Sequence, residues 1–143
     1  MGKCYNSITV DAPVDQVWPA ISNFHDFCWA PDVVTNVQIV GNRQHDQIGA
    51  QRVLNGVFHE SLLSLDNLNR TLSYSIDDGP GAVAKVVVSN YIGRVRVSPV
   101  TVDDKTFVEW ESTYDSADNA AVGALCNPIY QALLTALRRH FSA

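Results

Sequence analysis

The sequence lacks the residue patterns on which most metal, nucleotide and redox chemistry is built. Its three cysteines, Cys4, Cys28 and Cys126, are odd in number and widely spaced, so neither a closed disulfide framework nor a Cys-x-x-Cys motif is present. Free thiols of a reducing compartment follow from this, with a reactive thiol as the alternative. The four histidines, His25, His45, His59 and His140, have no ligand spacing, and there is no His-Glu-x-x-His helix, so no metal is expected. There is no Gly-rich phosphate loop, no dinucleotide fingerprint and no Gly-x-Ser-x-Gly elbow, so no cofactor is implied.

Positive charge is also scarce. Ten Lys and Arg stand against fifteen Asp and Glu, a net charge of −5. Only Arg138 and Arg139 are adjacent, near a helix C-terminus where cations suit the dipole. Nucleic acid and anionic membrane surfaces need clustered cations and are not expected as partners. No apolar run approaches the ~20 residues of a spanning helix, so no membrane insertion is expected. Met1 to Val10 alternates and does not read as a signal peptide, which makes a cytoplasmic location the expectation.

What is present is a well-patterned globular chain. It has 143 residues, 46% hydrophobic and 17% charged, enough for one domain, 1–143, with a sizeable core. Residues 3–10 read as a strand. Asp11 and Pro13 suit a helix start, and Val14, Val17, Trp18 and Ile21 have helical spacing, with Pro19 set to kink or shorten that helix. Residues 23–27 read as a second short helix. The middle of the chain is strand signal throughout: 33–40, 49–54, 57–65, 71–76, 85–97 and 106–114, separated by turn-rich segments. From Asp118 to Phe141, Val122, Leu125, Ile129, Leu133 and Leu137 recur at three- or four-residue spacing. That is one amphipathic helix, kinked or restarted at Pro128. Strands following strands imply an antiparallel meander that curls, with the long helix plugging its concave face and a cavity between them.

This order resembles the Bet v 1-like/START-like superfamily, whose bacterial members are labelled polyketide cyclase/dehydrase or lipid-transport proteins. The likeness rests on Val17-Trp18 and Asn23-Phe24, and covers nearly the whole chain. The local match runs over Phe58-His59-Glu60-Ser61-Leu62-Leu63-Ser64-Leu65-Asp66-Asn67, then Leu72-Ser73-Tyr74-Ser75-Ile76, then Ser89-Asn90-Tyr91. It is similar to the abscisic-acid receptor and lachrymatory-factor synthase branches. The resemblance implies an α+β helix-grip fold: a seven-stranded curved antiparallel sheet around a long C-terminal helix, with two short helices after the first strand. It also implies Arg52 and Glu60 as a catalytic pair, and Glu60, Tyr74, Tyr91 and Glu111 on the pocket side. The receptors' gate and latch loops are replaced here by Leu54-Asn55-Gly56-Val57 and by Asp78-Gly79-Pro80-Gly81-Ala82-Val83-Ala84.

The residues carry their own alternatives. Asn55-Gly56 is a strong two-residue hairpin signal, and that loop would put Arg52 opposite His59 and Glu60 on the other face. A three-residue loop or a bulge would put Arg52 opposite Glu60. If both face the cavity, Glu60 can accept a proton while Arg52 holds an oxyanion or carboxylate; otherwise they form a structural ion pair. Tyr74 and Tyr91 offer hydroxyls to a ligand or are core tyrosines. Glu109 and Glu111 flank Trp110, and alternation puts both on one face, where a solvated position competes with the pocket side. Ile76 shares the Tyr74 strand, and Ala121, Leu125 and Ile129 form the helix wall expected to line the cavity. Binding of a small hydrophobic molecule such as a lipid, polyketide or similar metabolite is the first expectation. A cofactor-free cyclase, dehydratase or isomerase using Arg52 and Glu60 is the second, and an interaction module with an incidental cavity the third.

Overall fold

The computed structural model describes residues 1–142. Seven strands form one antiparallel sheet: β1 (Gly2–Val10), β2 (Val37–Val40), β3 (Gln51–Leu54), β4 (Phe58–Asp66), β5 (Thr71–Asp78), β6 (Val88–Val100) and β7 (Lys105–Ser116), with α1 (Val14–Ser22) after β1 and α2 (Asn119–His140) at the end. The strand order is β1-β7-β6-β5-β4-β3-β2. Every neighbour is consecutive in the chain except β1, which returns to pair with β7. The long central strands alternate cleanly, as in β7, where Thr106, Val108, Trp110, Ser112 and Tyr114 are buried and the residues between them are not. That alternation gives the sheet one core face and one wet face.

The core face is covered by α2. Asp118 caps it, its Oδ1 accepting from the Ala121 N–H at 3.0 Å, and Arg138, Arg139 and His140 end it. Both termini therefore suit the helix dipole. The helix runs through Pro128 without a restart. Its buried residues are Val122, Cys126, Tyr130, Leu133, Leu134 and Leu137, and it packs on β1 and β7. Leu125 is only half-buried. The expected stripe was thus turned by about one position in its first half, because Cys126 and Tyr130 serve as core residues as well as Leu125 and Ile129 do. By length and apolar composition α2 also passes for a membrane-spanning helix, against the expectation of no such run; here it is the helix that the sheet wraps.

The second short helix at residues 23–27 does not form. The Asn23 and Asp26 side chains accept from the backbone N–H groups of His25 (3.1 Å) and Cys28 (2.9 Å). Such local bonds compete with helical ones and hold the segment as turns. Phe24 and Phe27 are nevertheless buried. The helix cap at α1 is Pro13 rather than Asp11. The expected strand at 33–40 is reduced to β2, and residues 33–36 form an irregular segment instead.

Candidate functional site

The β3–β4 hairpin decides the site. Asn55 and Gly56 both adopt positive φ, 53° and 73°, and the Val57 N–H donates to the Leu54 carbonyl at 3.0 Å. This is the turn that Asn-Gly favours. The strands nevertheless pair Leu54 with Phe58, leaving Val57 as an additional residue, so the loop has three residues and Arg52 stands opposite Glu60. A second irregularity, between His59 and Glu60 against β5, pairs Glu60 with Ile76 and leaves Asp77 over. Glu60 therefore points inward while His59 is exposed.

Arg52 and Glu60 are the only buried charged residues among those described, 5% and 6% exposed. Arg52 Nε donates to Glu60 Oε1 at 2.8 Å, and Nη2 lies 2.7 Å from the same oxygen. Arg52 Nη1 donates to the Phe24 carbonyl at 2.9 Å. The guanidinium centre also sits 3.8 Å from the Phe24 ring centroid and 4.8 Å from that of Phe27. The cation is thus satisfied by a carboxylate, a carbonyl and two ring faces. Glu60 Oε2 has no hydrogen-bond partner among the described residues, since both guanidinium contacts fall on Oε1. Burial raises the Glu60 carboxyl above its ordinary value; Arg52 works against this and the charge of Asp77 adds to it.

Behind the pair lies a chain of buried hydroxyls. Trp110 Nε1 donates to Tyr74 Oη at 2.9 Å, Tyr74 Oη donates to Tyr130 Oη at 3.3 Å, and Tyr130 Oη is hydrogen-bonded to Tyr91 Oη. Burial holds all three phenols above their ordinary value, so they act as neutral groups, and it pushes the Cys126 thiol up to about 11. Two backbone features make room for this chain. Gly93 is opposite Tyr74, and a Cβ there would come within 2.3 Å of the Tyr74 ring. The β6 irregularity between Ser89 and Ile92, with Asn90 at φ 53°, turns Tyr91 inward to stack on Tyr114 at 5.5 Å between centroids.

These groups border a cavity of about 120 Å³ between the sheet and α2. Arg52, Glu60, Tyr74, Ile76 and Ile129 line it. Tyr91 does not; it stands one hydroxyl behind, on Tyr130. Ala121 and Leu125 are outside the lining, since α2 presents Cys126, Tyr130 and Leu133 there instead. Glu111 is on the other face of the sheet, paired with Lys3 at 3.5 Å and opposite Arg94. The pocket-side placement from the resemblance is therefore corrected: with Trp110 inward, alternation sends Glu111 outward. Phe27 of the aromatic segment 24–29 also lines it, and Val33, Val34, Phe58 and Tyr130, which the sequence does not mark as site residues, complete the wall. Tyr130 had a usable signal, four residues after Cys126 on the same helical face.

Residues 1–142 match the family model for polyketide cyclase/dehydrase and lipid transport. A solved structure from Nitrosospira multiformis is 42% identical, with a TM-score of 0.95, covering 99% of this chain and 97% of that one. One from Thermobifida fusca is 24% identical with a TM-score of 0.82, covering 98% and 93%. Norcoclaurine synthase from Thalictrum flavum, 16% identical with a TM-score of 0.73 over 96% and 91%, shares the fold. No curated protein matches the chain.

Proposed function

The chain belongs to the polyketide cyclase/dehydrase and lipid-transport family, and from that premise we propose that it binds a small, largely apolar molecule in the cavity between the sheet and α2. The observation that carries this is the cavity itself: an unfilled space walled by apolar side chains, with one buried ion pair in its wall. Ligand sites are built this way, mostly apolar with a few fixed polar groups. The size narrows the family label. A space of about 120 Å³ suits a small molecule better than a long acyl chain or extended polyketide held wholly inside.

Native mass spectrometry of gently purified protein tests the reading. A co-purifying small molecule is expected, and Leu133→Trp, which fills the cavity from α2, is expected to exclude it. The same molecule at full occupancy in Leu133→Trp would place it elsewhere and overturn the proposal.

A cofactor-free proton-transfer enzyme is the second reading, favoured by the unpartnered Oε2 and raised carboxyl of Glu60 at the cavity wall. Glu60 would take a proton and Arg52 would stabilise the resulting anion. Glu60→Gln should then reduce turnover of a bound metabolite by about 10²–10⁴-fold, the usual contribution of a positioned base. Undiminished turnover would remove Glu60 from any such role.

A further inference from the structure

The ligand-site reading above leaves the ligand's chemistry open, and the inference here rests on that reading. We propose that the ligand is a neutral, single-ring molecule that donates one hydrogen bond, of the kind a phenolic hydroxyl makes, to Glu60 Oε2.

Three observations converge on this. The first is volume. An apolar cavity of about 150 Å³ accepts benzene, whereas drug-sized pockets begin at about 300 Å³. At about 120 Å³ the present cavity is of the order of one small ring and well below a drug-sized pocket. Its walls include the rings of Phe27, Phe58, Tyr74 and Trp110, against which a flat ring packs in offset or edge-on contacts.

The second is charge. Arg52 and Glu60 are the only charged residues on the lining, and they neutralise each other at 2.7 Å. An anion or a cation would leave a net charge in an apolar enclosure, which is strongly unfavourable. The site therefore selects a neutral molecule.

The third is hydrogen-bond demand. The lining hydroxyls of Tyr74 and Tyr130 are already engaged with each other, with Trp110 and with Tyr91. Arg52 directs Nε and Nη2 to Glu60 and Nη1 to the Phe24 carbonyl. Glu60 Oε2 receives neither Arg52 contact, Glu60 lines the cavity, and a carboxylate oxygen only accepts. A ligand O–H or N–H satisfies it, whereas a purely hydrocarbon ring covers it without a partner.

The experiment is a calorimetric or ligand-observed NMR titration of the intact protein with three molecules of one ring size: phenol, toluene and benzoate. Phenol is expected to bind about tenfold or more tightly than toluene, the effect of one bond to a charged acceptor. Benzoate is expected not to bind where phenol saturates. In Glu60→Gln the preference for phenol should fall to within about threefold of toluene, while Leu133→Trp should lose both. Toluene binding as tightly as phenol to the unaltered protein overturns the donor requirement, and benzoate binding more tightly overturns neutrality. Both outcomes leave the cavity as a ligand site. Failure of all three molecules to bind overturns the single-ring ligand class, and the native mass spectrometry above then decides the cavity reading separately. The wild-type series decides the matter even if Glu60→Gln does not fold.

Discussion

At the scale of single residues, the Arg52–Glu60 pair combines a stabilising contact with a costly location. Removing a partner from a buried pair leaves an uncompensated charge, whereas the intact pair is worth little by itself. The folded state holds the Glu60 carboxyl above its ordinary value of 4.5, chiefly through burial. As pH rises, the unfolded chain therefore loses this proton first. The stability associated with protonated Glu60 is present below the ordinary glutamate range and is lost as pH passes through the raised value. Glu60→Gln has no such titration. The stability of the unaltered protein minus that of Glu60→Gln is expected to fall with rising pH, as measured by denaturant midpoints across the acid-to-neutral range. A difference that is flat or rises with pH would mean that Arg52 outweighs burial. The identities in this pair were legible in the sequence only through the family likeness, because alternation along each strand gives a face but not which face meets the core. Glu111 shows the converse: there the likeness pointed inward, and the neighbouring Trp110 decided the matter by taking the core side.

At the scale of elements, Asn55 does more than turn the β3–β4 hairpin. Its Oδ1 accepts from the Thr35 and Asn36 N–H groups at 2.9 and 3.3 Å, and its Nδ2 donates to the Val33 carbonyl at 3.0 Å. Residues 33–36 are thereby tied to the hairpin tip, and Val33 and Val34 form part of the cavity wall. On the other side of Val33 lies an open groove of about 500 Å³ against the C-terminal half of α2. Val33 thus lines both spaces. Asn55→Gly keeps the positive φ without strain and removes only the side-chain bonds. It should raise amide exchange at Thr35 and Asn36 by about tenfold or more, given roughly 1 kcal/mol for each of several exposed bonds. Unchanged exchange at those amides would show that the segment is held by packing alone. The Asn-Gly turn was legible as a turn; the loop length was not. The dipeptide sets φ at two positions, but the register depends on whether Val57 pairs, and that is decided by Leu54 and Phe58 meeting on the core side. Residues 33–36 misled as a strand because Val33 and Val34 are apolar for the cavity's sake rather than for a sheet's.

At the scale of the whole molecule, the sequence carried the architecture well. Seven strand segments and a terminal amphipathic helix admit few arrangements once the strands after residue 33 follow one another without helices between them. The finer layout of the cavity was less accessible, because it depends on three local irregularities, at Val57, Asp77 and Asn90, each of which reverses the side on which the following residues lie. The sheet order has a consequence in time as well as in space. β1 pairs with β7, from Gly2 opposite Tyr114 to Val10 opposite Thr106, and Asn6 bonds to Asn127 and Gln131 of α2. During synthesis β1 therefore waits for β7 and α2, the last two elements of this domain, before its partners exist. Cys4 and Val10 stay uncovered for that interval, and the space around Glu60 cannot close until α2 comes to rest on β1.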